Sequence, residues 1–508
     1  MRTRLWLAAL AVLLAAPGCK EPTPPPPQAA ATPAAPLVVL ISVDALRADR
    51  LNCYGYAERK VSPHLDALAR DGLLFSNHIT ASPWTTPAHM SMLTSLSPSA
   101  HGVLASFSAR GAALRKGGMF VRLPDGRTTL AEVLSRAGYA TAAFTAGGTM
   151  DPKIGFGQGF ASYDTSMIKL GERNMARMHE WIAEHREKRK FLFWHHFEVH
   201  APYLDARFLE LGQGGERRRA AIREELARMA RRLRQERSPD GVMPRFHGEF
   251  KAALEEHHAF ERDVCEALYC GGVASADGWF GRFVQELREQ GLYESALILV
   301  TSDHGEEFGE RDPDHFYDRH GHSLYEELVR VPLIIKLPQS ERAGTRVSAV
   351  TRAIDLMPTI LDLLGVTPAS HEMEGSSLRE LWERSGSAAG RRAFSEALAF
   401  GEEQKGVRSA SHKLLFRFAM SAEAFARRER AGLPEDAAPF ALFDLEADPG
   451  ERRNLAASAP AGQPKSRRIA GDLERSLREH HGLAGGLVEP VRLDPQTVER
   501  LKSLGYVE

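Results

Sequence analysis

The segment from Leu37 to Asp44 reads Leu-Val-Val-Leu-Ile-Ser-Val-Asp, and it decides the fold class. Its first seven residues are nearly all β-branched or aliphatic, without the alternation of a strand that has one face in water. Such a run is typical of a strand buried on both faces of a parallel sheet. Asp44 follows directly, so its carboxylate is expected at the edge of the sheet where the strand ends.

Other segments repeat this pattern. Strands are predicted over residues 139–145, 191–197, 296–300 and 331–337, and helices with apolar residues three or four apart are predicted over 62–71 and 128–137. Alternation of strands and helices predicts an α/β fold, a doubly wound and mostly parallel sheet flanked by helices. Sheets of this kind bind ligands beyond the carboxyl ends of their strands. Asp44, His200, Asp303 and His304 all follow predicted strands.

The composition is that of a globular protein, and its charge balance argues against a nucleic-acid partner. The chain has 508 residues, of which 43% are hydrophobic and 26% charged, and its formal net charge is -1. This balance gives no general attraction to nucleic acid, and no nucleic-acid partner is predicted. Four cysteines are too few for a disulfide framework. Cys53, Cys265 and Cys270 are predicted to be packing residues.

The N-terminal residues resemble an export signal. Residues 1–19 contain two arginines, then an apolar run too short to span a bilayer, then small residues before Cys19. The order resembles a bacterial lipobox, which predicts an exported envelope lipoprotein on the periplasmic or outer-membrane face, with plain secretion as the alternative. Membrane contact is expected only through a lipidated Cys19. Residues 20–36 are rich in Pro and Ala and predict an extended linker.

The remaining chain divides into two regions. Residues 37–365 are predicted to form the catalytic domain, with a helical insertion at about 205–260. Within it, residues 216–237 are rich in Arg while apolar residues recur at helical spacing, which predicts an amphipathic surface helix. Residues 366–508 are predicted to form a smaller C-terminal α+β subdomain, with short strands at 413–416 and 442–445. The apolar positions of the Arg-rich helix are Ile222, Leu226, Met229 and Leu233.

The sequence Thr85-Thr-Pro-Ala-His89 carries a candidate nucleophile. Pro87 suits the first turn of a helix, and a Thr before it suits a cap. The backbone N–H groups and the positive end of the helix dipole would then surround the Thr85 hydroxyl, as in an anion site. An ordinary Thr-capped helix is the alternative.

Asp44, Asp303 and His304 are candidate metal ligands. Carboxylates and an imidazole suit a hard or borderline divalent cation, and Ca, Mn, Mg and Zn all remain open. Bound to the same ion, the Thr85 hydroxyl would have a lowered pKa and supply an alkoxide near neutral pH.

Four further histidines are candidate catalytic residues. His89 lies one helical turn from Thr85, His200 precedes Ala-Pro-Tyr, and His320 and His322 flank Gly321. Imidazolium groups would bind the oxygens of a sulfuryl or phosphoryl group, and one would protonate the departing oxygen. His195 and His196 lie inside an apolar run and are predicted to be structural instead.

Together these motifs resemble the sulfatase family of the alkaline phosphatase superfamily over nearly all of residues 37–507. The resemblance implies an alkaline-phosphatase-like core with a C-terminal subdomain, a divalent metal, and hydrolysis of sulfate or related esters. The segments that carry it are 39–56, the Thr85 helix, His200-Ala-Pro-Tyr, 301–309, 320–332, Leu-Phe-Asp-Leu-Glu-Ala-Asp-Pro-Gly-Glu from Leu442 with Asn454-Leu455, and the terminal Leu-Gly-Tyr.

The chain departs from the family where the chemistry is carried. Sulfatases have a Cys or Ser that is oxidised to formylglycine, followed by an Arg; here Thr85 and His89 stand at those positions, so no formylglycine is expected. Ala45 replaces the second Asp of the usual metal-binding pair. Residues 145–148 stand where many sulfatases have a Lys and a His. A Thr nucleophile with an Asp-His ligand pair resembles lipoteichoic acid synthases, phosphoethanolamine transferases and nucleotide pyrophosphatases.

The predicted function is an exported, metal-dependent hydrolase of sulfate or phosphate esters, including phosphodiesters or phosphonate monoesters. One alternative is a transferase that passes a phosphoethanolamine or phosphoglycerol group to a lipid or glycan. A second alternative is a non-catalytic, metal-containing binding protein. The ester is a small molecule, a glycan or a lipid head group, and its selection is expected to depend on loops such as residues 106–122.

Overall fold

A computed structural model gives the fold of most of the chain. It describes residues 36–103, 119–146, 148–167, 169, 172–211, 215–235, 243–368, 373–384, 390–397, 403–418, 440–456, 464–481 and 490–492. The predicted signal peptide, Cys19, nearly all of the linker, most of the 106–122 loop and the terminal Leu-Gly-Tyr lie outside these ranges. No helix among the described residues is long and apolar enough to cross a membrane.

The strands and helices alternate along the first two thirds of the chain. The strands are β1 (Leu37–Val43), β2 (Leu73–Ile79), β3 (Met119–Val121), β4 (Ala140–Phe144), β5 (Ser162–Asp164), β6 (Lys190–His196), β7 (Leu297–Thr301), β8 (Arg330–Val331), β9 (Leu333–Lys336), β10 (Thr345–Arg352), β11 (Ala393–Ala397), β12 (Glu403–Arg408), β13 (His412–Phe418), β14 (Phe440–Asp444) and β15 (Pro490–Arg492). The helices are α1 (Pro63–Asp71), α2 (Thr85–Thr94), α3 (Pro98–His101), α4 (Leu130–Arg136), α5 (Glu172–Glu184), α6 (Glu216–Gln235), α7 (Met243–Glu256), α8 (Arg262–Glu289), α9 (Glu326–Val329), α10 (Leu356–Leu364), α11 (Glu380–Glu383) and α12 (Pro464–His481).

The central sheet confirms the predicted fold class. Within the described part of the chain it has nine strands, in the order β10-β2-β9-β7-β1-β6-β4-β5, with β8 paired to β2. β1 is buried along its whole length and pairs in parallel with β6 and β7. Burial of each aliphatic side chain in such a strand contributes roughly 1.5–3 kcal/mol. Because three neighbouring parallel strands end together, the residues after β1, β6 and β7 meet at one edge.

The predicted strands match the observed ones to within a residue or two, except at 331–337. That segment divides at Pro332 into β8 and β9, because Pro has no N–H to donate to a sheet ladder. β8 pairs with β2, and β9 lies between β2 and β7, all in antiparallel pairings. The sheet is therefore mostly parallel, with two short antiparallel strands, β9 between β2 and β7 and β8 beside β2.

The long helix α8 holds the loop that follows β1. The Tyr269 hydroxyl donates to the carbonyl oxygen of Ala45 at 2.8 Å and accepts the N–H of Arg47 at 2.9 Å. Asp277 lies further along α8. Its carboxylate accepts the N–H groups of His64 and Leu65, at the start of α1, over distances of 3.1 and 2.8 Å. α8 therefore fixes the position of Asp44 through backbone groups. Cys265 and Cys270 of the same helix are buried, as predicted, and Cys53 is partly buried.

The segment predicted as a helical insertion contains α6 and α7. α6 buries the four apolar residues that the sequence pattern selected, while most of its arginines stay exposed. The C-terminal region forms an antiparallel sheet of β11 to β14, covered by α12 through Leu473 and Leu477. A buried ion pair joins it to the first region, where the Lys413 ammonium lies 3.1 Å from a Glu326 carboxylate oxygen.

Two glycines of α8 provide a matched test of how the insertion packs on the core. A Cβ at Gly271 would overlap the carbonyl oxygen of Asp205, whereas a Cβ at Gly278 would meet no atom within 4 Å. We expect Gly271→Ala to lower the free energy of unfolding by about 1–3 kcal/mol, because backbone must shift. Gly278→Ala is expected to raise it by up to about 1 kcal/mol through helix propensity. Thermal and urea unfolding measure both, and equal effects of the two variants would contradict this packing.

Candidate active site

Thr85 is the first residue of α2, a helix in which every residue is buried. The N-cap is Trp84, whose backbone is extended. The expectation that a Thr forms the cap is therefore wrong: Thr85 follows the cap as the first residue of the helix. Pro87 occupies the first turn, where its missing N–H removes no helical hydrogen bond. The Thr85 hydroxyl thus lies at a helix N-terminus, the end that favours negative charge.

Two carboxylates and one imidazole face this hydroxyl. Thr85 Oγ1 lies 3.5 Å from Asp44 Oδ2 and 3.3 Å from His304 Nε2. His304 Nε2 lies 3.7 Å from Asp44 Oδ1 and 3.4 Å from Asp303 Oδ2. All four residues are fully buried. The structure therefore brings together the predicted ligands Asp44, Thr85, Asp303 and His304.

This cluster fits a cation. Asp44 Oδ1 and Asp303 Oδ2 are buried and have no hydrogen-bond partner among the described residues. His304 Nδ1–H donates to the Gly305 carbonyl at 2.8 Å, which leaves the lone pair on Nε2 facing the carboxylates. Burial, together with the nearby Asp303 carboxylate, raises the pKa of Asp44 well above its usual value. Buried carboxylates are costly unless a positive charge compensates them, and a divalent ion does so.

His195, predicted to be a structural residue, contacts the candidate ligand Asp44. Its Nδ1 accepts the N–H of Ala146 at 3.4 Å, and its Nε2–H donates to Asp44 Oδ2 at 2.8 Å. Burial lowers the pKa of His195 to about 4, which keeps the ring neutral. The bond occupies one oxygen of Asp44 and directs the other toward the site. β6 runs beside β1, and this adjacency is the signal that could have identified His195.

His196, the next residue, is structural as predicted. Its Nε2 lies 3.3 Å from the carbonyl oxygen of Ala276, and its ring stacks on Trp194 with the centroids 4.7 Å apart. Successive side chains of a strand point to opposite faces, so the two neighbouring histidines have different surroundings.

His89 lies behind the nucleophile and contacts protein atoms with both nitrogens. Nδ1–H donates to the Thr85 carbonyl at 2.9 Å, and Nε2 lies 2.9 Å from Ser42 Oγ. Nδ1 is also 3.5 Å from Asp303 Oδ2. Burial lowers the pKa of His89 to about 3. In this geometry His89 joins α2 to the ends of β1 and β7.

The other three predicted histidines line the opposite side of the site. The His320 ring stacks on His304 with centroids 4.4 Å apart, and His200 lies edge-on to His320 at 5.2 Å. His322 Nε2 forms an ion pair of 2.5 Å with Glu307 Oε2. The side chain of His322 is 22% exposed, against 5% for His320.

Two buried, charged side chains near the cluster were not identified from the sequence. Glu306 is buried, accepts the Tyr203 hydroxyl at 2.9 Å, and its pKa is raised to about 7 by burial. The Lys169 ammonium donates to the carbonyls of residues 197, 198 and 200 at 3.3, 3.0 and 2.8 Å, and so holds the His200 loop. Glu306 lies in a sequence motif with Asp303 and His304, but Lys169 has no sequence signal of its own.

Ala45 shows what replaces the second acidic residue of the family pattern. It has a positive φ of 60°, and its N–H donates to Asp303 Oδ1 at 3.3 Å. The methyl group of Ala45 cannot bind a cation. Ala45 therefore contributes no metal ligand, and only its backbone N–H contacts the Asp303 carboxylate. Ala146, in the segment that replaces the family's Lys and His, contributes only its N–H to His195.

Comparisons with known proteins relate this chain to sulfatases. The family model described as Sulfatase matches residues 36–366, and the model described as N-sulphoglucosamine sulphohydrolase, C-terminal, matches residues 313–481. The multifunctional alkaline phosphatase superfamily protein PehA of Trinickia caryophylli is 29% identical over 385 residues, which cover 65% of this chain and 73% of the relative. The ulvan-active sulfatase of Formosa agariphila is 24% identical over 474 residues, covering 88% and 81%.

Solved structures share the fold. BT4656, in complex with its substrate D-glucosamine-2-N,6-O-disulfate, has a TM-score of 0.61 and 19% identity, covering 88% of this chain and 97% of that one. The phosphonate monoester hydrolase of Agrobacterium radiobacter has a TM-score of 0.60 and 21% identity, covering 91% and 100%. The match of a sulfatase model to more than half of the sequence establishes the class of protein. This chain belongs to the sulfatase family and is an ester hydrolase of that family.

Proposed function

We propose that this chain is an exported, metal-dependent hydrolase of sulfate or phosphate esters that uses Thr85 as its nucleophile. The observation that carries the proposal is the position of the Thr85 hydroxyl. It lies at the N-terminus of a buried helix, within 3.5 Å of Asp44 and His304. A buried Thr so placed among potential ligands has the surroundings that an activated hydroxyl requires.

Asp44, Asp303, His304 and Thr85 would hold one divalent cation. When bound, the ion supplies a lowered pKa for the hydroxyl and offsets the negative charge of the reacting group. The two carboxylate oxygens without hydrogen bonds, Asp44 Oδ1 and Asp303 Oδ2, are the protein's first ligands for it. Three oxygen donors and one nitrogen donor suit Ca²⁺, Mg²⁺, Mn²⁺ or Zn²⁺.

The residues around Thr85 can carry out both steps of the hydrolysis, which are the formation of a threonyl ester and its cleavage by water. The hydroxyl proton passes to Asp44 Oδ2, 3.5 Å away, while Oγ1 forms a bond to sulfur or phosphorus in line with the breaking ester bond. The leaving oxygen keeps the bonding electron pair and takes a proton from His322. Water then attacks the threonyl ester and gives a proton to His322, while Oγ1 keeps the bonding electron pair and takes back the proton held by Asp44 Oδ2. These transfers release sulfate or phosphate and restore Thr85, Asp44 and His322.

His322 is the proposed acid because it lies at the site and reaches solvent. Its Nε2 lies 2.5 Å from Glu307 Oε2, and its side chain is 22% exposed, so it can exchange protons with water. His200 and His320 are proposed to flank the oxygens of the group that is transferred. His89 and His195 act as positioning residues, because their nitrogens contact Thr85, Ser42 and Asp44.

The proposal favours phosphodiesters or phosphonate monoesters over sulfate esters. Sulfatases activate an oxidised Cys or Ser, and a Thr offers only its hydroxyl. Among the relatives, PehA is named as multifunctional, and one structural neighbour is a phosphonate monoester hydrolase. One relative is named as an ulvan-active sulfatase, and a structural neighbour is bound to its substrate D-glucosamine-2-N,6-O-disulfate, so a sulfated or phosphorylated glycan stays within the proposed substrate class.

A transferase is the second candidate, and the Thr nucleophile supports it. A threonyl ester delivers its group equally to water or to the hydroxyl of a lipid or glycan. Product formation measured with and without an acceptor distinguishes the two reactions. The transferase forms product only when an acceptor is supplied, whereas the hydrolase needs none.

The nucleophile is tested by replacing Thr85 with residues of similar size. Thr85→Val removes the hydroxyl and is expected to reduce kcat at least about a thousandfold, whereas Thr85→Ser keeps it and retains substantial turnover. The assay compares an aryl sulfate, a phosphomonoester, a phosphodiester and a phosphonate monoester with Mn²⁺, Ca²⁺ or Zn²⁺. Mass spectrometry of a quenched reaction should find the transferred group on Thr85. Full turnover by Thr85→Val would disprove the role.

His195 and His196 form a matched pair for the positioning role. His195→Ala frees Asp44 Oδ2, and loss of such a hydrogen bond to a ligand costs about 10–100-fold in metal affinity. His196→Ala is expected to affect stability but not metal affinity, because its ring packs on Trp194. Calorimetric titration of the metal-depleted variants measures this difference. Unchanged affinity in folded His195→Ala would refute the assignment.

Export and anchoring are tested at Cys19. Cys19→Ser is expected to move the protein from the membrane fraction to the soluble envelope fraction and to abolish incorporation of a labelled fatty acid. Cys53→Ser, which changes a partly buried packing residue, is the control and should stay in the membrane fraction. Soluble wild-type protein without label would support plain secretion instead.

A further inference from the structure

The helical insertion forms one wall of a cavity that is separate from the candidate active site. The cavity lies between α6, α8 and the segment that follows β6. Its volume is about 550 Å³. Small-molecule sites typically measure roughly 300–1,000 Å³, so the cavity is large enough for a ligand of that kind. Among the described residues, none of the proposed metal ligands or catalytic histidines lines it.

Small residues on two helices create this space. Ala227 and Ala230 line the cavity from α6, and their methyl groups leave it open. On α8, a Cβ at Gly271 would overlap the carbonyl oxygen of Asp205. The glycine therefore lets the segment after β6 pack closely against α8, which holds Asp205 in the wall of the cavity. The cavity thus depends on particular residues of the insertion and of α8.

Two exposed arginines of α6 line the rim of the cavity. Arg223 and Arg231 lie four residues before and four residues after Ala227, so the three residues share one face of the helix. Arg223 donates to the carbonyl oxygens of Ala206 and Leu209, both at 3.2 Å, which holds its guanidinium at the rim. No carboxylate pairs with either guanidinium within the described part of the chain. The rim therefore carries two positive charges without a carboxylate to balance them.

In the rest of the lining, basic and acidic groups balance each other. Lys169 and Glu198 are 6% and 8% exposed, and Glu198 Oε1 accepts the Ser275 hydroxyl at 3.3 Å. Asp205 forms an ion pair of 2.6 Å with Arg207. Carboxylate oxygens accept hydrogen bonds from hydroxyl groups but repel an anion. This part of the cavity is therefore suited to the neutral, hydroxylated part of a ligand.

We propose that this cavity is an accessory binding site for a sugar-sized molecule that carries one phosphate or sulfate group. The anionic group binds Arg223 and Arg231, because guanidinium groups form strong, charge-assisted hydrogen bonds with such oxygens. The hydroxyl groups donate to Glu198, and the apolar face of the ring contacts Leu204 and Ala227. A ligand with negative charge at both ends does not fit, because one end would face carboxylates.

This proposal goes beyond the proposed function, because the accessory site needs neither Thr85 nor a metal ion. Calorimetric titration of the full chain measures binding, after treatment with a chelator so that hydrolysis does not interfere. The probes are glucose 6-phosphate and glucose 6-sulfate, with glucose and inorganic phosphate for comparison. We expect one molecule of either ester to bind per chain. Glucose and inorganic phosphate should bind more weakly, because each provides only part of the contacts.

Two matched pairs of variants in α6 locate the bound ester. Arg231→Ala is expected to weaken binding at least about tenfold, since it removes a charge-assisted hydrogen bond. Arg228→Ala, at an exposed position outside the cavity, should leave binding unchanged. Ala227→Leu fills the cavity and should abolish binding, whereas Ala220→Leu makes the same change at an exposed position outside it. Thermal unfolding establishes that each variant is folded.

The accessory site and the proposed nucleophile can fail separately. Thr85→Val and Asp44→Asn should bind glucose 6-phosphate as the wild type does, whatever their turnover. Loss of binding in folded Asp44→Asn would place the ester in the active site and contradict the proposal. Equal affinities of folded Arg231→Ala and Arg228→Ala would also contradict it. If neither ester binds the wild type more tightly than glucose does, the proposal is wrong.

Discussion

Two buried carboxylates that face each other impose the central constraint on this fold. Asp44 and Asp303 follow the neighbouring parallel strands β1 and β7, and each has one oxygen without a hydrogen bond among the described residues. A cation bound between them would offset the cost of burying both charges. The surrounding elements are arranged to maintain this pair: α8 fixes the loop after β1, His195 holds one oxygen of Asp44, and α2 brings Thr85 to the same place.

The sequence was sufficient to predict that Asp44 and Asp303 lie together. It was not sufficient to predict which side chains hold these two carboxylates in place. Strand ends are predictable because a continuous aliphatic run stops at a charged residue, and this rule located Asp44 and Asp303. His195 was missed because it lies within an apolar run, where only knowledge of the neighbouring strand identifies its partner. β9 was predicted as an ordinary strand, since direction within a sheet depends on topology that the local pattern does not contain.

The chemistry follows from what replaces the usual family residues. Thr85 keeps a hydroxyl at the helix N-terminus, His89 supports the backbone of that residue, and Ala45 contributes an N–H to Asp303 instead of a carboxylate. Ala45 in place of an acidic residue leaves the candidate metal site with one carboxylate fewer. Imidazoles cluster beside His304, where the rings of His320 and His200 lie.

The central claim is that a cation joins Asp44, Asp303, His304 and Thr85. Anomalous diffraction from crystals soaked in Mn²⁺ tests it most directly, because the signal locates the ion itself. The account predicts a peak bound by Asp44 Oδ1, Asp303 Oδ2, His304 Nε2 and Thr85 Oγ1. Crystals with full access to the metal that show these carboxylates without a bound ion would contradict it.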